Sequence, residues 1–202
     1  MLETPSIPRY QSVRSRAYGD NVTGADNQQE RLDGYLSGYV DGEGSFCVAV
    51  NRNPSCRTGY QLVPEFHVSQ NGDRAQVLEL LRERLGGCGY IKPNGRKDRA
   101  LVLVVRRRED LLEQVIPFFE RSPLLSSKQE DFEKFATVVR AMAAGHHRTA
   151  AGFAELLELA LSMNGNGKFR KVQWRDVIPH PESSETARQT EATTSEDTVR
   201  AA

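Results

Sequence analysis

The 202-residue chain lacks any apolar run that approaches the roughly 20 residues needed to cross a bilayer as a helix. A membrane-spanning helix is therefore not expected. Its N-terminus lacks the apolar region of a secretory signal, although Arg9, Arg14 and Arg16 against Glu3 leave an organellar transit peptide as a minor alternative. Cysteine is scarce. Cys47, Cys56 and Cys88 are odd in number and have neither CxxC nor Cys/His zinc-motif spacing, so neither a disulfide framework nor a zinc finger is expected. An intracellular protein of the cytoplasm, nucleoid or an organelle follows as the expectation. Net charge is also missing, with 27 Lys and Arg against 27 Asp and Glu. The termini carry much of the acid, however, and residues 31–180 hold 22 basic and 18 acidic side chains. This mild excess permits nucleic-acid binding without arguing for it.

Residues 1–28 are rich in Ser, Gly, Asn and Arg, and residues 179–202 form an acidic, Thr- and Ser-rich tail. Both have little to bury and are expected to be disordered extensions of one domain over residues 29–178. Within that domain Glu30 to Val40 suits a helix, while Ser45–Asn51 and Tyr60–Ser69 alternate as strands about a turn at Arg52-Asn-Pro-Ser. Asp73 stands as an N-cap before Val77, Leu78, Leu81 and Leu85 at helical spacing, and Gly86-Gly87 ends that helix. A second hairpin is centred on Asn94-Gly95, followed by three amphipathic helices over 110–119, 128–142 and 149–163. The fold class is α+β, αββαββα in order, with helices on one face of an antiparallel sheet and the other face free. Alternation points Cys47, Ala49, Asn51, Gln61, Glu65 and His67 to that free face, joined from the second hairpin by Lys92, Asn94, Arg99 and Leu101. A twisted sheet with this mixture of donors and acceptors fits a DNA major groove; an ordinary solvated face is the plain alternative.

Small residues Gly34, Ser37 and Gly38 recur at i, i+3 and i+4 in the first helix. Glycine inside a helix costs roughly 1 kcal/mol, so two of them need a reason, and close approach of a second helix supplies it. Just beyond, Gly42 and Gly44 leave Glu43 without bulky neighbours, and hard cations such as Mg²⁺ favour carboxylate, carbonyl and water oxygens.

The segment Leu36-Ser-Gly-Tyr-Val-Asp-Gly-Glu-Gly-Ser45 resembles the signature of the LAGLIDADG homing endonucleases, with Phe66–Gln70, Gly89-Tyr-Ile, Ile116-Pro-Phe-Phe, Ser127–Phe135 and Gly145–Thr149 extending the likeness over about residues 30–175. The resemblance implies a sheet that forms a DNA-binding saddle. It also implies two motif helices that cross and each deliver one acidic residue to adjacent metal sites. Glu43 takes the position of the metal carboxylate, Gly42 offers a carbonyl, Gln70 orients attacking water, and Arg74 and Lys128 lie near the scissile phosphate. The implied cofactor is Mg²⁺, with Mn²⁺ or Ca²⁺ able to substitute for binding. Glu43 departs from the aspartate of the family's literal motif, and Asp41 is read as a structural cap rather than a ligand. One motif copy implies a homodimer on double-stranded DNA, a pseudo-palindromic target and short 3′ overhangs. An intron maturase that binds host intron RNA, and a non-catalytic DNA-binding regulator of the same fold, are the alternatives.

Rival motifs fail by position. An EF-hand loop opening at Asp41 would need glycine at Phe46 and glutamate at Arg52, and a P-loop ending at Lys168 would need glycine at Ser162. Lys168, Arg170 and Lys171 are instead assigned to the DNA backbone, with an exposed basic turn as the alternative. Arg106-Arg-Arg108 reads either as a phosphate contact or as a charged strand exit, and His146-His147 as loop polarity rather than a metal site.

Overall fold

Period-two burial governs the first hairpin. Phe46 and Val48 of β1 (Gly44–Arg52) and Leu62, Phe66 and Val68 of β2 (Tyr60–Asn71) are all withdrawn from solvent on one face. The two strands pair antiparallel from Gly44↔Val68 to Arg52↔Tyr60. The computed structural model describes residues 24–95, 99–166 and 177. The hairpin follows helix α1 (Gly24–Glu43) and leads through a 3-10 turn (Gly72–Arg74) to α2 (Gln76–Arg84). Strands β3 (Tyr90–Pro93) and β4 (Ala100–Val105) complete an antiparallel sheet of order β1-β2-β4-β3. A helical run follows, made of α3 (Arg108–Asp110), a π turn (Leu111–Val115) and α4 (Ile116–Arg121). Then come α5 (Lys128–Ala143), a 3-10 turn (His146–Arg148), α6 (Ala150–Leu161) and a short kinked α7 (Met163–Asn166). Pro64 sits inside β2 without breaking it, because β4 pairs only with Phe66–Asn71 and leaves no partner there on β4's side to want an N–H.

Helices cover one face of the sheet. At the centre of the core the Phe46 ring lies 5.1–5.5 Å from the rings of Phe66, Phe119, Phe132 and Phe135. Helix α1 docks through Leu36 and Val40, one turn apart, with Leu32 and Tyr39 partly buried beside them. Asp33 pins it to α2 through two hydrogen bonds from Arg84, whose pKa that pairing raises.

Three local expectations give way. Asp73 is not an N-cap: it lies within the 3-10 turn, and α2 starts behind Ala75 with no side-chain cap. Gly72 is instead held by its N–H to the carbonyl of Arg99, 3.0 Å away. The Asn94-Gly95 turn is replaced by a longer loop, since Pro93 pairs with Leu101 and the Asn94 N–H bonds the Ala100 carbonyl. The facing of β4 is the reverse of that expected. Leu101, Leu103 and Val105 pack with the core, while Val102 and Val104 take the open face. The ends of α2 and α6 follow the sequence. Gly86 and Gly87 adopt φ of 71° and 74°, and Thr149 caps α6 by accepting from the Gly152 N–H.

Candidate active site and nucleic-acid interface

Glu43 is the last residue of α1, exposed, and has no hydrogen-bond or ion-pair partner among the described residues. The carbonyls of a helix's final turn, here Val40 to Glu43, have no partner within the helix. Lys128, opening α5, serves this end: its ammonium donates to the carbonyls of Val40 (3.0 Å) and Gly44 (2.6 Å). A cation there also complements the helix dipole. Burial pulls the Lys128 pKa down, against the opposing pull of Asp41, Glu43 and Asp131. Lys128 is positioned by Asp41. One Asp41 oxygen accepts from the N–H groups of Leu125 and Ser126, and the other from the Ser126 hydroxyl. Burial raises the Asp41 pKa, but these three donors and Lys128 outweigh it and hold the carboxyl below its ordinary value. Asp41 is thus engaged within the subunit, though it anchors the segment leading into α5 rather than capping its own helix.

A carboxylate and helix-terminal carbonyls form an all-oxygen donor set, which suits a hard divalent cation and not a soft one. Glu43 and the Gly42 carbonyl fit that requirement by type.

Gln70, near the end of β2, accepts from the Asn71 N–H at 2.7 Å and is hydrogen-bonded to the hydroxyl of Tyr39. Tyr39 also donates to the Ser69 carbonyl at 3.2 Å. Burial raises the Tyr39 pKa; the bond to Gln70 opposes this, and the nearby Glu43 and Tyr35 add to it. Tyr39 thus joins α1 to Gln70 one helical turn before Glu43, a role that sequence reading missed because a tyrosine in an amphipathic helix reads as packing. Arg74 is not drawn in. It sits exposed on the 3-10 turn, 4.0 Å from the carboxylate of its neighbour Asp73.

The outer face of α1 separates the three small residues. Gly34 and Gly38 are exposed, as is Gly42 one turn on, and a Cβ added to any of them would meet nothing within 4 Å. Ser37 faces inward, 3% exposed, and donates to the carbonyls of Ser122 (2.8 Å) and Pro123 (3.2 Å). The small-residue strip is therefore Gly34, Gly38 and Gly42, without Ser37. Beside it runs a groove of about 510 Å³ lined by Gly34, Gly38, Pro123 and Leu125 among others, and the Leu125 side chain is 89% exposed.

On the open sheet face Ala49, Asn51, Gln61, Lys92 and Asn94 are exposed, and Cys47, Glu65 and His67 are half-buried. Arg99 is exposed too, but on the loop ahead of β4 and in step with core-facing Leu101. Glu65 is neutralised locally: Arg106 pairs with one oxygen, and His67 Nδ1 lies 3.3 Å from the other. Arg106 therefore has a partner that neither of its sequence-based readings included. Val102 and Val104, 5% and 2% exposed, give the face an apolar centre that the expected parity of β4 concealed. Lys168, Arg170 and Lys171 lie outside the described residues.

Comparisons with known proteins converge. Residues 36–139 match the family described as LAGLIDADG endonuclease. "Probable intron-encoded endonuclease 2" of Neurospora crassa is 31% identical over 147 residues, 72% of this chain and 32% of that protein. The crystal structure of a homing endonuclease, I-TnaI, aligns with a TM-score of 0.61 at 41% identity, over 65% of this chain and 87% of that one. I-SmaMI bound to an uncleaved DNA target in the presence of calcium ions aligns with a TM-score of 0.62 at 29% identity, over 66% of this chain and 45% of that one. The chain thus spans about a third of the Neurospora relative and under half of I-SmaMI.

Proposed function

Because the chain belongs to the LAGLIDADG endonuclease family, we propose that it is a site-specific homing endonuclease that cuts both strands of a long pseudo-palindromic DNA as a homodimer. One observation carries this reading: an exposed carboxylate, Glu43, unpaired among the described residues, ends a helix whose outer face is Gly34, Gly38 and Gly42. The cost of glycine in that helix is not repaid inside the subunit, since the three have open space where a side chain would go. A second α1 crossing there repays it and brings two Glu43 carboxylates to one place, as a two-fold axis requires. The exposed Leu125 beside the strip provides apolar area for the same contact.

DNA then lies on the open sheet face, where Asn51, Gln61, Lys92 and Asn94 present donors and acceptors to base edges. Lys168, Arg170, Lys171, Arg99 and Arg74 are assigned to the backbone. Glu43 and the Gly42 carbonyl would hold a hard divalent cation, Mg²⁺ or Mn²⁺ with Ca²⁺ as a binding substitute, which would supply Lewis-acid activation of water and charge neutralisation at the departing 3′ oxygen. Gln70, fixed by Tyr39 and the Asn71 amide, orients the attacking water. Lys128, fixed by two carbonyls, sets a positive charge beside the phosphate as negative charge builds there. Short 3′ overhangs are the expected product.

The test is a cleavage selection from a randomised DNA library with Mg²⁺, run with the wild type and with Glu43→Gln. The expected result is a pseudo-palindromic consensus cut only by the wild type, with binding kept by Glu43→Gln. Equal cutting by both proteins overturns the role of Glu43. Binding without cutting by the wild type points to the regulator.

A further inference from the structure

We propose that the open face of the sheet carries a second metal site, for one borderline-soft divalent cation of the Zn²⁺ class, held by Cys47, Glu65 and His67. No sequence spacing announces it, because hairpin register assembles it: Cys47 stands directly across from Glu65, and His67 follows two residues later on the same face. One ligand atom from each residue falls in a group in which all lie within 4.8 Å of one another. Cys47 Sγ is 4.0 Å from His67 Nδ1, and that nitrogen is 3.3 Å from Glu65 Oε1. A tetrahedral zinc centre with metal–sulfur bonds of about 2.3 Å and metal–nitrogen or metal–oxygen bonds of about 2.1 Å spaces S···N about 3.6 Å apart and N···O about 3.4 Å apart. The Cys47–His67 and His67–Glu65 pairs therefore stand within a few tenths of an ångström of ligating distances.

The surroundings suit a ligand set. Arg106 takes Glu65 Oε2, so the second oxygen is turned to His67 and the carboxylate is held from outside, as ligating carboxylates commonly are. The Cys47 thiol donates to the Glu65 carbonyl at 3.5 Å. Ligation releases that proton to solvent and leaves a thiolate on the metal. Thiolate and imidazole select zinc, cobalt, nickel or copper over Mg²⁺, so the site is chemically separate from the all-oxygen set at Glu43. Its fourth position is left to water on the open face. Glu43 has no part in it, so it stands or falls independently of the endonuclease reading.

The experiment is a Co²⁺ titration of the full reduced chain without Mg²⁺, followed by the thiolate-to-cobalt charge-transfer band in the near ultraviolet. One equivalent is expected to saturate the band, Zn²⁺ to displace it and excess Mg²⁺ to leave it. Cys47→Ser and His67→Ala abolish the band, and Glu65→Gln weakens binding by about tenfold or more. Cys56→Ser, Cys88→Ser and Glu43→Gln retain it, with circular dichroism confirming that each variant is folded. No band in the wild type, or a band that survives Cys47→Ser, overturns the proposal.

Discussion

Asp41 and Glu43 stand two residues apart on the same helix end and do opposite work. Among the described residues Asp41 is consumed by three donors from Leu125 and Ser126, and Glu43 by none. A carboxyl whose pKa is lowered by folding adds stability that is fully present above its ordinary value, 3.8, and is lost as pH falls through the lowered one. Urea unfolding of the wild type should therefore weaken across that acid window. Asp41→Asn should flatten the acid slope and cost about 1–2 kcal/mol at pH 7, the lower part of the range for charge-assisted bonds because the site is partly exposed. An unchanged slope would show that Asp41 is not the anchor. Lys128→Met should reduce single-turnover cleavage about 10²-fold while leaving DNA binding nearly intact. An equal loss of binding would reassign Lys128 to affinity.

At the scale of the element, the glycines of α1 and the glycine that opens β1 divide by what surrounds them. Gly38→Ala adds a methyl into open space, so the isolated subunit should gain up to about 1 kcal/mol of stability in urea. The same variant should sediment as a monomer and lose cleavage; a dimer that still cuts would remove the interface from this face. Gly44 is the contrary case. A Cβ there would lie 2.5 Å from Val40 Cγ1 and 2.8 Å from the Val40 carbonyl oxygen, so Gly44→Ala should cost about 1–3 kcal/mol. Much of this architecture is legible in the sequence, because β1 and β2 alternate cleanly and the helices keep their apolar spacing. The facing of β4 is not. Leu101 to Val105 are all apolar, so period-two alternation carries no signal, and facing is decided by pairing with β2 and β3. Gln70 and Lys128 are legible only through the motif's likeness to a family, whereas Glu43 also stands out between Gly42 and Gly44. Tyr39 and the Cys47–Glu65–His67 trio depend on contacts between elements that periodicity does not report.

For the whole molecule, a formal charge of zero means that the proposed attraction to DNA would have to come from local basic groups. Symmetry supplies the sharper test. Purified mixed dimers of the wild type and Glu43→Gln should nick one strand of the target and leave the other intact on a denaturing gel. A double-strand break from mixed dimers would mean that one Glu43 serves both strands. The connections that complete the site also set its timing. Ser37 reaches Ser122 across 85 residues, Asp41 reaches Ser126 across 85, and Lys128 reaches Val40 across 88. Contacts so distant along the chain close late in folding. A polypeptide still leaving the ribosome can therefore hold its whole acidic motif and yet lack the assembled site, because Lys128 reaches the end of α1 only once α5 has been made and docked.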